Sequence, residues 1–507
     1  MTNSSNKFSF VGWGFMVALS QMALFPAHIQ AAETTQAVDS SFTEAQGILA
    51  QKLNQKPIVT PAKNVILFIG DGMGISTVTA TRILDGQLKG GLGEENILSW
   101  ETFPYTALSK TYNSNQQVPD SAGTATAFLS GAKTKAGVIG LNQSVPRGDC
   151  QASKDNHLTT ILELSEKAGL NSGIVTTTRL THATPAASYA HIPERDWEND
   201  SEIPSQEKKH GCQDIARQFV DFPHGNGIEV AFGGGRKNFL PKKKGGARED
   251  KHNLITEWKK RHKNAQYAQN KKDLDNLSLT KDGPVLGLFN SSHMAFEADR
   301  VKGKDGEPSL AEMTEKAIQI LQKKDGGYFL LVEAGRIDHG HHGGNAYRAL
   351  HDGVALAKAV QVAKEVTDNA DTLIIVTADH SHGFVMAGYS TRGNPILGKV
   401  IGNNKRGGAA DEHNTLALDG GPYTTVGYYN GPGAQKTPGR SDLSYVDTEA
   451  KNFIQQALVP TKSETHAGED VAIYADGPGA YLFQGVVEQN YIFHVMHHAL
   501  RLDEKLK

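Results

Sequence analysis

Glu333, Asp338, His339, His341 and His342 lie within ten residues of one another, just after the apolar run Tyr328–Val332. Asp338 and His342 stand four apart, so one helical turn beyond a strand places both on one face. Carboxylate oxygen with imidazole nitrogen suits Zn²⁺ and its neighbours, and Glu333 at the strand end suits a harder ion. A solvated histidine-rich turn has the same composition, so the choice rests on what else the chain brings to this stretch.

Five other stretches carry candidate groups. Lys63–Gly74 is an apolar strand ending in a Gly-rich turn with one carboxylate, Asp71. It lacks both the dinucleotide fingerprint and the P-loop ending, which makes Asp71 a ligand candidate. The stretch Asp371–Gly383 repeats the opening pattern, a buried strand ending in Asp379, His380 and His382, and Thr465-His466 precedes a further strand. Strand Ser172–Thr178 is followed by His182, Thr184 and Arg195; Arg195 could grip a phosphate with its planar fork or form a surface ion pair. Asp120-Ser121 opens a small-residue helix. Free amides and the helix dipole there favour an anionic oxygen, so Ser121 reads either as a nucleophile or as an ordinary capping serine.

Strands alternating with helices imply an α/β fold, a mainly parallel central sheet flanked by helices on both faces. Such sheets bind ligands beyond the carboxyl ends of their strands. Asp71, His182, Glu333 with Asp338, and Asp379 with His380 all follow a strand and would share that edge. The pattern implies a polynuclear metal site. Two metals about 4 Å apart suit in-line displacement at phosphorus, which gives Ser121 and Arg195 roles.

The 507 residues carry a net charge of −3, so no overall field points to nucleic acid or membrane. The Lys-rich stretch 236–272 has sparse aromatics and reads as a solvated helical face, with no nucleic-acid binding expected. Residues 390–462 are rich in Gly, Asn and Pro and read as a long surface insertion. Residues 1–32 have the form of an export leader, or of a retained anchor. The expected organisation is a signal peptide over 1–32 and a single domain over 33–507, opening on a polar arm. Cys150 and Cys212 are the only cysteines, and in an exported chain they form one disulfide or remain two buried thiols.

Six motifs, in order, resemble the alkaline phosphatases, in particular their animal-type branch. They are Phe-Ile-Gly-Asp71-Gly-Met-Gly, Pro-Asp-Ser121-Ala, Thr-His182-Ala-Thr184-Pro-Ala, Gly-Arg-Ile-Asp338-His-Gly-His-His342, Thr-Ala-Asp379-His380-Ser-His382 and Thr-His466-Ala-Gly-Glu-Asp. The resemblance covers Lys63 to Leu500. It implies one zinc on Asp338, His342 and His466, a second on Asp71, Asp379 and His380, and magnesium on Asp71, Thr184 and Glu333. It implies a phosphoserine at Ser121, phosphate binding by Arg195, and His382 supporting a ligand from behind. Gly211-Cys212-Gln-Asp-Ile-Ala also looks like that branch and supports a Cys150–Cys212 bridge.

The chain departs from one bacterial subgroup, which has Asp and Lys at the positions of His182 and His339. These two histidines are expected to face substrate through water or the third metal. Leu288-Phe289 is followed by Asn290, so the calcium site of animal members is not carried over. The charged residues Arg501–Lys507 do not resemble a lipid-anchor signal, and no stable membrane anchor is expected in the mature form. The resemblance further implies small phosphate monoesters as substrates, an alkaline pH optimum, a homodimer, and periplasmic or secreted localisation. A phosphodiesterase of the same superfamily and a non-catalytic metal-binding protein are the alternatives. The first wastes a bidentate guanidinium on a diester, and the second leaves Ser121 and Arg195 without purpose.

Overall fold

The computed structural model describes residues 35–323, 325–410, 413–436 and 439–507. The leader expected over 1–32 lies outside the described residues. The chain divides into two compact units, Met1–Gln55 and Lys56–Lys507. In the first, the expected polar arm forms a helix, Ser40–Asn54, capped by Asp39 through the Ser41 and Phe42 amides.

Within the second unit the strands are β1 (Asn64–Gly70), β2 (Tyr105–Lys110), β3 (Asn171–Arg179), β4 (Val230–Gly234) and β5 (Gln266–Ala268). There follow β6 (Val285–Leu288), β7 (Tyr328–Ala334), β8 (Thr372–Ala378), β9 (Ser381–His382) and β10 (Phe384–Met386). The last are β11 (Val426–Gly431), β12 (Ala457–Pro460), β13 (His466–Ala467), β14 (Val471–Asp476) and β15 (Val486–Glu488). Among the described residues ten of these form one sheet, in the order β15-β2-β14-β8-β1-β7-β3-β4-β6-β5. Only β14 runs against the others, antiparallel to β2 and β8.

The central strands are buried on both faces, which is why their sequences are continuous apolar runs rather than alternating ones. Val65, Leu67 and Ile69 of β1 enter one core, and Ile66 and Phe68 enter the other. The first core is closed by the helices Ser121–Ser130, Ile161–Lys167 and Tyr491–Ala499. The second is closed by Leu310–Leu321 and Ala346–Val366. Each fully buried side chain of this size contributes roughly 1.5–3 kcal/mol of transfer free energy.

Register sets the working edge. Gly70 of β1 pairs with Ala334 of β7 and with Ala378 of β8, so the three strands end level. Asp71, the helix Arg336–His342 and Asp379 therefore leave the sheet at one height.

The 390–462 insertion is more than a surface excursion. It carries β11 and β12, which join β10 in a small sheet. Ile396, Leu397, Val426 and Tyr428 pack with Ile83, Leu84, Leu350 and Val354 in a third core. Its scattered apolar residues gave no periodic signal, because they are recruited singly by partners distant in sequence. Cys150 and Cys212 form a disulfide, with Cα atoms 5.7 Å apart. Among the described residues no helix is long and apolar enough to cross a membrane.

Candidate active site

Asp338 and His342 lie on one face of the helix Arg336–His342, as their spacing requires, and His342 Nε2 is 3.3 Å from Asp338 Oδ1. His466 comes from β13, which pairs with β9 and sets His466 opposite His382. His342 Nδ1 donates to the Glu464 carbonyl at 2.6 Å, and His466 Nδ1 donates to the Pro119 carbonyl at 2.8 Å. A carbonyl can only accept, so each ring, when neutral as a metal ligand must be, leaves Nε2 bare. Those two nitrogens face each other at 3.1 Å, and His466 Nε2 is 3.3 Å from Asp338 Oδ1. Two lone pairs and a carboxylate this close repel unless a cation lies among them. Tetrahedral ligands of zinc stand about 3.3 Å apart, and the observed spacings match.

Beside it, Asp71, Asp379 and His380 form a second group, each fully buried. His380 Nδ1 lies 3.2 Å from the Ser381 carbonyl, leaving Nε2 bare. That nitrogen is 3.4 Å from Asp71 Oδ1, 3.2 Å from Asp379 Oδ2 and 3.2 Å from Ser121 Oγ. Asp379 is oriented by the Gly72 amide at 3.0 Å and the His380 amide at 2.9 Å. Gly72 has φ 70°, and a Cβ there would strike the His382 ring, so the turn requires glycine. Ser121 is the first residue of its helix, capped by Asp120 through the Gly123 amide at 3.1 Å.

Asp71, Glu333 and His182 make a third group, their ligand atoms within 4.8 Å of one another. Both Asp71 oxygens, Glu333 Oε1 and Thr184 Oγ1 are buried without a hydrogen-bond partner. Buried acceptors left unpaired are costly, and a bound cation satisfies them. The other Glu333 oxygen accepts from Thr176 and Thr178.

The electrostatics agree with this requirement for cations. Burial and the charges of Asp379, Asp338 and Glu333 push Asp71 well above the carboxylate range. Glu333 is pushed up to about 7, chiefly by burial, against the hydrogen bonds from its threonines. Burial keeps the His380 ring neutral, as a metal ligand must be. Asp338 behaves differently: burial opposes its charge, yet positive charge placed among His342, His382 and His466 holds it well below the usual range, and where the rings of His342 and His466 are neutral that charge falls to a cation.

His382 also lies within ligand distance of Asp338, His342 and His466. Both its nitrogens are already taken, by Asp338 Oδ1 at 2.8 Å and by Glu464. Against the cost of burial, those two bonds push it up to about 9, so it is an imidazolium that orients Asp338. Arg195 donates to Asp120 Oδ2 at 3.1 Å and to His182 Nε2 at 3.2 Å. Asp120 therefore ties Arg195 to the Ser121 turn. The ring of His339 lies 5.5 Å from that of His182.

Three partners escaped sequence reasoning. Glu464 precedes His466 by two residues and resembles any loop acid, yet it is fully buried against His382. Asp120 signals a helix start and nothing more. His293 follows β6 alone, with no motif, and its ring packs 4.3 Å from His339 and 5.2 Å from His182.

The sequence profile of the alkaline phosphatase family matches residues 62–502. The chain is 47% identical over 465 residues to the tissue-nonspecific alkaline phosphatase of Gallus gallus, covering 89% of this chain and 86% of the relative. It is 46% identical over 453 residues to the alkaline phosphatase of Gadus morhua, covering 86% and 91%. Among solved structures, that of Thermus thermophilus alkaline phosphatase superposes with a TM-score of 0.62 at 24% identity, covering 89% of this chain and 93% of that one. The enzyme of the Antarctic bacterium TAB5 gives 0.59 at 23% identity, covering 87% and 99%. At those identities the structures speak for the fold alone.

Proposed function

The chain belongs to the alkaline phosphatase family of phosphate monoester hydrolases, and we propose that it works at alkaline pH through a phosphoserine formed on Ser121, with two zinc ions and one magnesium. Asp338, His342 and His466 would hold one zinc, Asp71, Asp379 and His380 the other, and Asp71, Thr184 and Glu333 the magnesium. The observation that carries this reading is Ser121 Oγ, 3.2 Å from a bare imidazole nitrogen in a group of buried, unpaired ligand atoms.

When bound, such cations lower the pKa of the attacking hydroxyl and neutralise charge on the leaving oxygen. Ser121 Oγ forms the new bond to phosphorus as the ester P–O bond breaks, and the departing alkoxide takes a proton. Water then cleaves the phosphoserine, returning the hydroxyl and releasing phosphate. The amides at the helix N-terminus favour the anionic Oγ. Arg195 holds two phosphoryl oxygens in its fork, a contact that a monoester rewards and a diester forfeits. Asp120 and His182 fix the plane of that fork, and His182 and His339 would act on the phosphate through water or beside the magnesium that Asp71, Thr184 and Glu333 would hold.

Ser121→Ala should reduce turnover of an aryl phosphate by on the order of 10⁴-fold or more, and an acid quench during turnover should trap phosphate on the parent protein only. Near-full turnover by the variant would overturn the covalent route. By likeness to the family, we also propose a leader over 1–32, a single phosphatase domain over 33–507, a homodimer, and a periplasmic or secreted destination.

A further inference from the structure

The strand β11 belongs to the insertion, yet two of its side chains reach the loops that carry the Asp338, His342 and His466 group. Asn430 Oδ1 accepts from the Thr465 amide at 3.0 Å, and its Nδ2 donates to Thr465 Oγ1 at 2.8 Å. This two-point grip fixes the residue immediately before His466. Two positions earlier, Tyr428 is buried and its hydroxyl meets His341 Nδ1 at 2.8 Å. His341 Nε2 meets Thr77 Oγ1 at 3.0 Å, so both ring nitrogens are engaged. The His341 ring packs 4.9 Å from that of His382, which is bonded to Asp338 at 2.8 Å. Between these two contacts, the Tyr429 amide donates to the Gly383 carbonyl at 2.7 Å, tying down the other side of His382. The insertion also receives the residues after His342: the Gln455 amide donates to the Gly344 carbonyl at 2.8 Å.

We propose that the 390–462 insertion, through Tyr428 and Asn430, is a positioning element that sets metal retention at Asp338, His342 and His466. The inference rests on the reading that these three residues hold a cation. Its physical basis is pre-organisation. The ligands arrive from a helix and a two-residue ribbon, too short to fix His466 unaided, and partners behind metal ligands commonly govern affinity by 10–100-fold. Neither residue touches the reacting atoms, so their effect falls on the metal.

The test uses the full chain, stripped with chelator and reloaded with Zn²⁺, then challenged with a chromophoric chelator that reports zinc release. Asn430→Ala should speed release from one class of site by about tenfold, and Tyr428→Phe, which deletes only a hydroxyl, by a smaller factor. In both, excess Zn²⁺ should restore turnover with KM unchanged. Leu418→Ser, at a fully exposed position on the same insertion, should release zinc at the parental rate. Parental release rates in Tyr428→Phe and in a folded Asn430→Ala would overturn the inference. Asp338→Asn separates the two levels. If it leaves zinc content unchanged, the cation reading itself fails; if it loses one zinc while the β11 variants release normally, only the role of the insertion fails.

Discussion

Glu166 and Glu229 are two buried carboxyls that share Ser172 at the start of β3, whereas Asp71 and Asp379 are two buried carboxyls that share His380 where β1 and β8 end. At the first end the Ser172 hydroxyl donates to Glu166 at 2.5 Å and its amide to Glu229 at 2.8 Å. Burial, with the nearby Glu229 charge, pushes Glu166 up to about 9. The pair thus settles its repulsion by keeping a proton. At the other end Asp71 has no donor, and the bare His380 nitrogen stands between the carboxylates. That arrangement is one that a cation could settle. Acids gathered with donors can settle as structure, whereas acids gathered with bare imidazoles offer a ligand set for a cation.

Chelation should break the comparison most strongly. Removing divalent ions should abolish monoester turnover and lower Tm, because ligand-linked stability of about 4 kcal/mol at a thousandfold excess over Kd is lost. Calorimetry before and after zinc addition checks this, and an unchanged Tm would remove the cation from the argument. Asp71→Asn comes next. Where Asp71 is ionised in the metal-free protein, the variant should stabilise it by about 1–3 kcal/mol, since one buried charge disappears. The same variant should gain far less from added Zn²⁺ than the parent, as read from denaturant midpoints.

The protonated end is read as a slope with pH rather than as a loss of metal. The folded pKa of Glu166 is raised, so its contribution to stability is complete below the unfolded carboxyl range and is lost as pH rises toward about 9. Glu166→Gln should flatten that decline, whose slope is at most about 1.4 kcal/mol per pH unit. Parallel curves for parent and variant between pH 5 and 9 would mean the pair does not hold its proton.

Sequence alone determined the central parallel strands and the edge where their polar residues gather, but not β11 and β12 of the insertion or the reversed β14. Continuous apolar runs bury on both faces, and residues following parallel strands must leave the sheet on one side. It also determined that Asp338 and His342 share a helical face, since a turn of helix fixes that locally. The tertiary structure decided the partners. His380 and His382 follow the same strand two residues apart, yet one has a bare nitrogen beside Ser121 and the other is consumed by Asp338 and Glu464. That difference depends on β9 pairing with β13, a contact between residues more than eighty positions apart. Likewise Asp120 finds Arg195, and Asn430 grips Thr465, only after the chain has closed on itself. A side chain's type fixes which chemistry it can perform, whereas its hydrogen-bond partner, supplied by distant packing, fixes which of those chemistries remains open to it.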